Sequence, residues 1–185
     1  LPTVPIEDGE DRKGVLGEID PFTFFANFNR GITDLNRQAM WRTLKEEVDL
    51  SSDIPSDFHG LPLYNMQNAR LFWHSPARDE DHIPLLWDFF LHISNAAPEE
   101  LDLGMMDRCL AKKGVGMATL TMGMFWVRPK TFLSTDGKNY EKARALGVES
   151  SLQTAAEYQT WLIEVLEKMN GETMTFSADA HTEAI

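Results

Sequence analysis

Apolar positions recur at three- and four-residue intervals along most of this 185-residue chain, interrupted by short clusters of Gly, Pro, Asn and Asp. That period predicts helices joined by tight turns. Asp20-Pro21 opens the first, with Asp as N-cap and Pro at the first helical position; Phe22, Phe24, Phe25 and Phe28 crowd it and Asn29-Arg30-Gly31 ends it. Ile32-Thr33-Asp34 opens a second helix whose Leu35, Ala39, Met40, Leu44 and Val48 form one apolar face. After a Ser/Asp/Pro-rich loop, residues 60–64 and 69–73 read as a short β-hairpin joined by Asn65-Met66-Gln67-Asn68, with Pro62 keeping the first strand at an edge. A helix from about Ile83 to Asn95 is expected to bury Leu86, Trp87, Phe90 and Ile93, and another begins at Pro98 and leads into Gly114-Val115-Gly116. A short helix over 140–146 and a last one over 154–169 follow, the latter with Ala155, Tyr158, Leu162, Val165, Leu166 and Met169 inward. The fold class is therefore mainly α (α+β): one helical domain over 20–170 with one small β-hairpin, a loose arm over 1–19, and a tail or linker over 171–185.

Two glycines around one small apolar residue let a helix end, reverse and restart within about three residues. The second helix then turns its free N–H groups and positive dipole end toward the turn, which favours a phosphate. In its Gly-Val-Gly turn, in Thr119, and in an acid, Asp136, that falls 22 residues after Gly114, this stretch resembles the hairpin of the helix-hairpin-helix DNA glycosylases of the endonuclease-three type. The resemblance spans about 25 residues and implies a DNA-binding hairpin of a monofunctional glycosylase, with the Asp136 carboxylate stabilising a developing oxocarbenium charge or activating water. Lyase members carry a Lys where this chain has Ala118, and many carry a four-Cys cluster that the single Cys109 cannot build. The plainer role for Asp136 is the N-cap of a helix beginning near Gly137.

Charge sharpens the question. The chain carries a net −12, which opposes phosphate binding. Yet between Met105 and Glu149 eight basic residues face four acidic ones, which places the basic residues around the hairpin. They serve either a phosphate or only the solvation of helix faces. The composition suits one buried domain without disulfides, and no apolar run reaches membrane-spanning length. A soluble, cytoplasmic domain is expected, with no membrane partner, and the chain reads as part of something longer. Five histidines, His59, His74, His82, His92 and His181, show no ligand spacing, so neither metal nor cofactor is expected.

Six further segments, Ile19-Asp20-Pro21-Phe22-Thr23-Phe24-Phe25, Phe28-Asn29-Arg30-Gly31-Ile32-Thr33, Asn36-Arg37, Asp57-Phe58-His59-Gly60-Leu61-Pro62, Asn65-Met66-Gln67-Asn68 and Leu120 through Pro129, resemble the N-terminal region of McrB-like, AAA-family, modification-dependent restriction proteins. The likeness covers about residues 19–146. It implies a recognition domain of a restriction or antiviral defence system, with DNA and a fused or associated AAA motor and nuclease subunit as partners. No Gly-x-x-x-x-Gly-Lys-Ser/Thr phosphate loop occurs in the sequence, so a DNA-binding, non-enzymatic module that recognises a modified or flipped base is the expectation. Lys112, Lys113, Gly114, Gly116, Arg128, Lys130 and Arg30 are its candidate DNA-binding residues. Asn65, Gln67, Asn68, Trp73, Phe125 and Trp126 are the candidate base pocket, because amides pair with base edges and aromatic rings stack on bases. Each of these is also an ordinary turn amide or core aromatic in the plainer reading. A monofunctional glycosylase and a non-catalytic protein-interaction module stand as alternatives, the second suited to the acidic remainder of the chain.

Overall fold

The computed structural model describes residues 7–8, 12–13, 19–29, 31–58, 79–169 and 172–182. Eight α-helices are seen among them: α1 (Pro21–Phe28), α2 (Asp34–Val48), α3 (His82–Ile93), α4 (Leu103–Leu110), α5 (Met117–Val127), α6 (Gly137–Ala145), α7 (Ala155–Lys168) and α8 (Thr173–Thr182). The domain is mainly helical. The hairpin expected over 60–73 lies outside the described residues. In the stretch read as a loose arm, Glu7–Asp8 (β1) and Arg12–Lys13 (β2) pair antiparallel, Glu7 opposite Lys13 and Asp8 opposite Arg12.

Several helix starts follow from capping chemistry. Asp20 Oδ1 accepts from Thr23 N at 2.9 Å, with Pro21 in the first turn. Thr33 Oγ1 accepts from Asn36 N, and Thr154 with Glu157 closes a reciprocal capping box on α7, each satisfying N–H groups that the helix itself leaves open.

α5 is the axis of the core. Leu120, Thr121, Met122, Gly123, Met124 and Phe125 are all buried, so it has no solvent stripe and must be surrounded. α1 packs on α5 and α3, α3 on α4 and α5, and α7 on α4 and on the 3-10 turn Pro98–Glu100. Trp161, Tyr158, Phe22, Phe89 and Phe132 fill the interior. The extended segment 132–135 is buried too, held where Thr135 N donates to Thr121 Oγ1 (3.0 Å) and Tyr158 Oη donates to Leu133 O (3.0 Å).

Three expectations change. The apolar face assigned to α2 is only partly covered: Leu35 is 75% and Val48 56% exposed, Ala39 is exposed, Met40 and Leu44 are half-buried, and the buried residue of that helix is Arg37. On α3, Leu86 and Ile93 are buried as read and Phe90 is half-buried, but Trp87 is 41% exposed, and its Nε1 donates to Ile19 O (3.0 Å). The expected tail after 171 carries α8, which packs on α6 through small and polar contacts, Asn139 Nδ2 to Ser177 Oγ (3.2 Å) and Lys142 Nζ to Asp179 Oδ2 (3.4 Å), rather than through an apolar stripe.

Candidate functional site

Of the two glycines in the Gly114–Gly116 turn, one has left-handed backbone. Gly114 sits at φ 86°, in the left-handed region that disfavours side chains. Gly116, extended at φ −105° and ψ 158°, is the N-cap of α5. A Cβ built on Gly116 would meet nothing within 4 Å, so the N-terminus of α5 is open to a ligand.

The cations expected there are mostly engaged elsewhere. Lys112 Nζ lies 2.6 Å from Asp81 Oδ1 and 3.1 Å from Asp79 Oδ2, with its side chain 14% exposed. The hydrogen bond that Lys112 donates to Asp81 comes first in raising Lys112 above the usual lysine range, and the same bond lowers Asp81. Arg128 stands at the opposite end of α5, a helix about 16 Å long at 1.5 Å per residue. Its Nη1 donates to Ala96 O (2.5 Å) and Ile93 O (3.3 Å), closing the C-terminal end of α3, and its guanidinium lies 5.9 Å over the Phe132 ring. Arg144 pairs with Glu149 at 3.1 Å. Lys113 and Lys130 are exposed; Arg30 lies outside the described residues.

Asp136 is the N-cap of α6. Oδ1 accepts from Lys138 N (3.1 Å) and Asn139 N (3.2 Å), and Oδ2 accepts from Ser134 Oγ (2.5 Å) and Asn139 Nδ2 (2.7 Å). His181 Nε2 stands 3.5 Å from Oδ1. Both oxygens are therefore committed to structure. Asp136→Ala should cost about 1–2 kcal/mol in denaturant unfolding, and Asp136→Asn clearly less, because an amide oxygen also caps. Equal stability of Asp136→Ala and the parent would remove the capping role.

The remaining aromatic candidates meet in a different place. A cavity of about 660 Å³ opens where α1, α2, the 55–58 segment, the end of α5 and α8 converge; Phe28, Trp41, Phe58, Phe125 and Trp126 wall it. Phe125 and Trp126 are thus brought together, whereas Asn65, Gln67, Asn68 and Trp73 lie outside the described residues. Asn29 and Arg37 also line it. Arg37 Nε donates to Phe28 O (2.7 Å), Nη1 donates to Asp34 Oδ1 (2.8 Å), and the guanidinium lies 5.0 Å over the Phe58 ring. The cation therefore holds the wall together. Asp57 adds a carboxylate to the lining. Sequence reasoning passed over Asn29, Arg37, Trp41 and Phe58. The signal for Asn29 was present, since Phe28-Asn29 has the same aromatic-beside-amide pattern that singled out 65–73.

Other reactive groups are structurally occupied. His92 Nε2 accepts from Asp102 N (2.8 Å), His82 is buried, and burial pushes the Cys109 thiol up to about 12, keeping it neutral and unreactive. Among the described residues, no group of three His, Cys, Asp or Glu side chains is placed to hold a metal ion, and no helix is long and apolar enough to cross a membrane.

A helical domain with an aromatic-walled cavity at one end of its central helix and a glycine turn at the other is the class that fold and site define. The chain belongs to a family described as a domain of unknown function, DUF8425, whose model matches residues 4–183. Comparison with curated proteins and with solved structures finds no match in either.

Proposed function

We propose that this domain binds DNA and reads an extruded, modified or unmodified base in the aromatic cavity, as the specificity module of a restriction or antiviral defence system whose AAA motor and nuclease are fused to it or associated with it. The cavity is the observation that carries this reading. Its volume of about 660 Å³ accommodates a base, and Phe125 and Trp126 stand with Trp41 and Phe28 around it, matching the stacking-plus-edge chemistry by which flipped bases are held. The glycine turn supports backbone contact at the other end of α5, where open N–H groups suit one phosphate.

The test uses anisotropy of labelled duplexes carrying methylated, hydroxymethylated or unmodified cytosine at low salt. Trp126→Ala should lower preference for the favoured site by about 1–3 kcal/mol while non-specific binding persists. Gly116→Glu should weaken all duplexes alike by placing a carboxylate at the phosphate position. No binding to any duplex at low salt would end the proposal.

A protein-interaction module is the second reading, favoured by the outward Leu35 and Val48 on α2 and by the engagement of Lys112 with two carboxylates. The glycosylase alternative draws less support, because Asp136 caps α6 and does not line the cavity.

A further inference from the structure

One wall of the aromatic cavity is attached to the domain differently from the rest. Met174, Thr175 and Ala178 of α8 line the cavity, and α8 packs on α6. The buried residues of α8 are Thr173, Phe176, Ser177 and Ala180, of which Phe176 alone is large and apolar. α7, by contrast, buries Tyr158, Trp161, Leu162 and Val165. Little apolar surface therefore holds α8 shut, and local opening is drawn from interfaces of that kind.

The polar bonds between α6 and α8 are weak by geometry. Asn139 Nδ2 stands 2.7 Å from Asp136 Oδ2, 2.9 Å from Ser134 Oγ and 3.2 Å from Ser177 Oγ. An amide nitrogen has two hydrogens for those three acceptors, and the longest bond is the one that reaches α8. Lys142 Nζ to Asp179 Oδ2 at 3.4 Å is a long, part-exposed ion pair, and His181 Nε2, 3.5 Å from Asp136 Oδ1, makes one only when protonated. Asn139 Oδ1, meanwhile, is buried and has no hydrogen-bond partner among the described residues. Lifting α8 uncovers the Asn139 amide and lets water satisfy that acceptor, which offsets part of the cost of opening. The start of the helix is tied more firmly: Thr173 is fully buried and its Oγ1 donates to Pro129 O (2.5 Å). α8 thus has a fixed end beside the cavity and a loosely held body.

We propose that α8 is a hinged wall of the aromatic cavity, opening as a unit while the other helices stay folded and admitting a base beneath it. The guest rests on the base-reading function proposed above; the opening rests on the α6–α8 contact alone. Hydrogen exchange of the full chain, followed amide by amide by NMR, tests the opening. Amides from Ser177 to His181 should share one protection factor, at least about tenfold below those of α5 and α7. Simple fraying would instead grade protection along the helix. Phe176→Ala should erase the protection of α8 and Ser177→Ala should lower it about fivefold, the effect of one ordinary hydrogen bond, with α5 and α7 unchanged in both. Equal protection of α8 and α7 in the parent, a gradient along α8, or a loss shared by α5 and α7 in the Ser177→Ala variant overturns the hinged wall. A second arm adds short single-stranded oligonucleotides that carry at one central position each of the four bases, 5-methylcytosine or an abasic site. A base held in the closed cavity should slow exchange in α8, and the abasic strand should not. An α8 that opens as a unit but is slowed by none of the strands leaves the wall hinged and overturns the base as its guest.

Discussion

Gly123→Ala should destabilise the domain by about 2 kcal/mol, although alanine normally favours a helix interior over glycine by about 1 kcal/mol. The reversal comes from α1. A Cβ on Gly123 would stand 2.5 Å from Phe22 Cδ1, 3.0 Å from Cγ and 3.1 Å from Cβ. Phe22 has no room to yield, being fully buried with its ring against Phe89 at 6.2 Å and edge-on to Phe90 at 6.3 Å. The added methyl must therefore push α1 away from α5, and interiors packed at crystal-like density do not absorb such a shift cheaply. Both helices wall the aromatic cavity, so ligand binding should fall with stability. Urea unfolding of Gly123→Ala, Phe22→Leu and the double variant checks the cause. If Phe22→Leu restores none of the loss, the contact is not what excludes the side chain.

Elements marked by caps were legible in the sequence, because a cap is a local bond between neighbours. Asp20-Pro21, Thr33, Asp136 and Thr154 all begin helices where their side chains and spacing indicate. Faces were less legible. The apolar period of α2 is real, but whether it is buried depends on what packs beside it, and Arg37 rather than Leu35 turned inward because its guanidinium finds Phe28 O, Asp34 and the Phe58 ring. α8 escaped notice for the opposite reason: its buried positions, Thr173, Phe176, Ser177 and Ala180, are mostly small or polar and carry little hydrophobic signal.

The candidate site shows the same division. Gly114 could be read from one dipeptide spacing, since only local backbone geometry was at stake. The basic cluster could not, because the partners that engage it arrive from distant sequence: Asp79 and Asp81 at Lys112, Asp179 at Lys142, and the carbonyls of Ile93 and Ala96 at Arg128. Counting charges along a chain says how many there are and not which are already paired. For the cavity, Phe125 and Trp126 were named, but their neighbours Phe28, Asn29 and Trp41 come from α1 and α2, some ninety residues earlier.

The stability of this domain should rise as pH is lowered from 7 toward 5, and Asp20 should be the main source. Asp20 is fully buried at the start of α1. Its Oδ1 accepts from Thr23 N, while Oδ2 has no hydrogen-bond partner among the described residues. Burial, which penalises the ionised form, outweighs the hydrogen bonds from Thr23 and lifts its pKa from 3.8 to about 6. A carboxyl whose folded pKa lies above its unfolded value contributes stability that is complete below the unfolded pKa, near 4, and is lost as pH rises through the folded one, near 6. A shift of that size corresponds to roughly 3 kcal/mol between the two limits. Exposed carboxylates work the other way: Asp81 and Glu157, lowered by hydrogen bonds from Lys112 and from Ser151, lose their contribution as the solution becomes more acidic. The two effects separate in Asp20→Asn, which keeps an N-cap oxygen but cannot ionise. Measured by chemical denaturation, the variant should exceed the parent most at pH 7, and the difference should shrink steadily toward pH 4. A difference that stays constant across that window would mean that Asp20 is already neutral at pH 7, or that its environment takes up water when the carboxyl ionises.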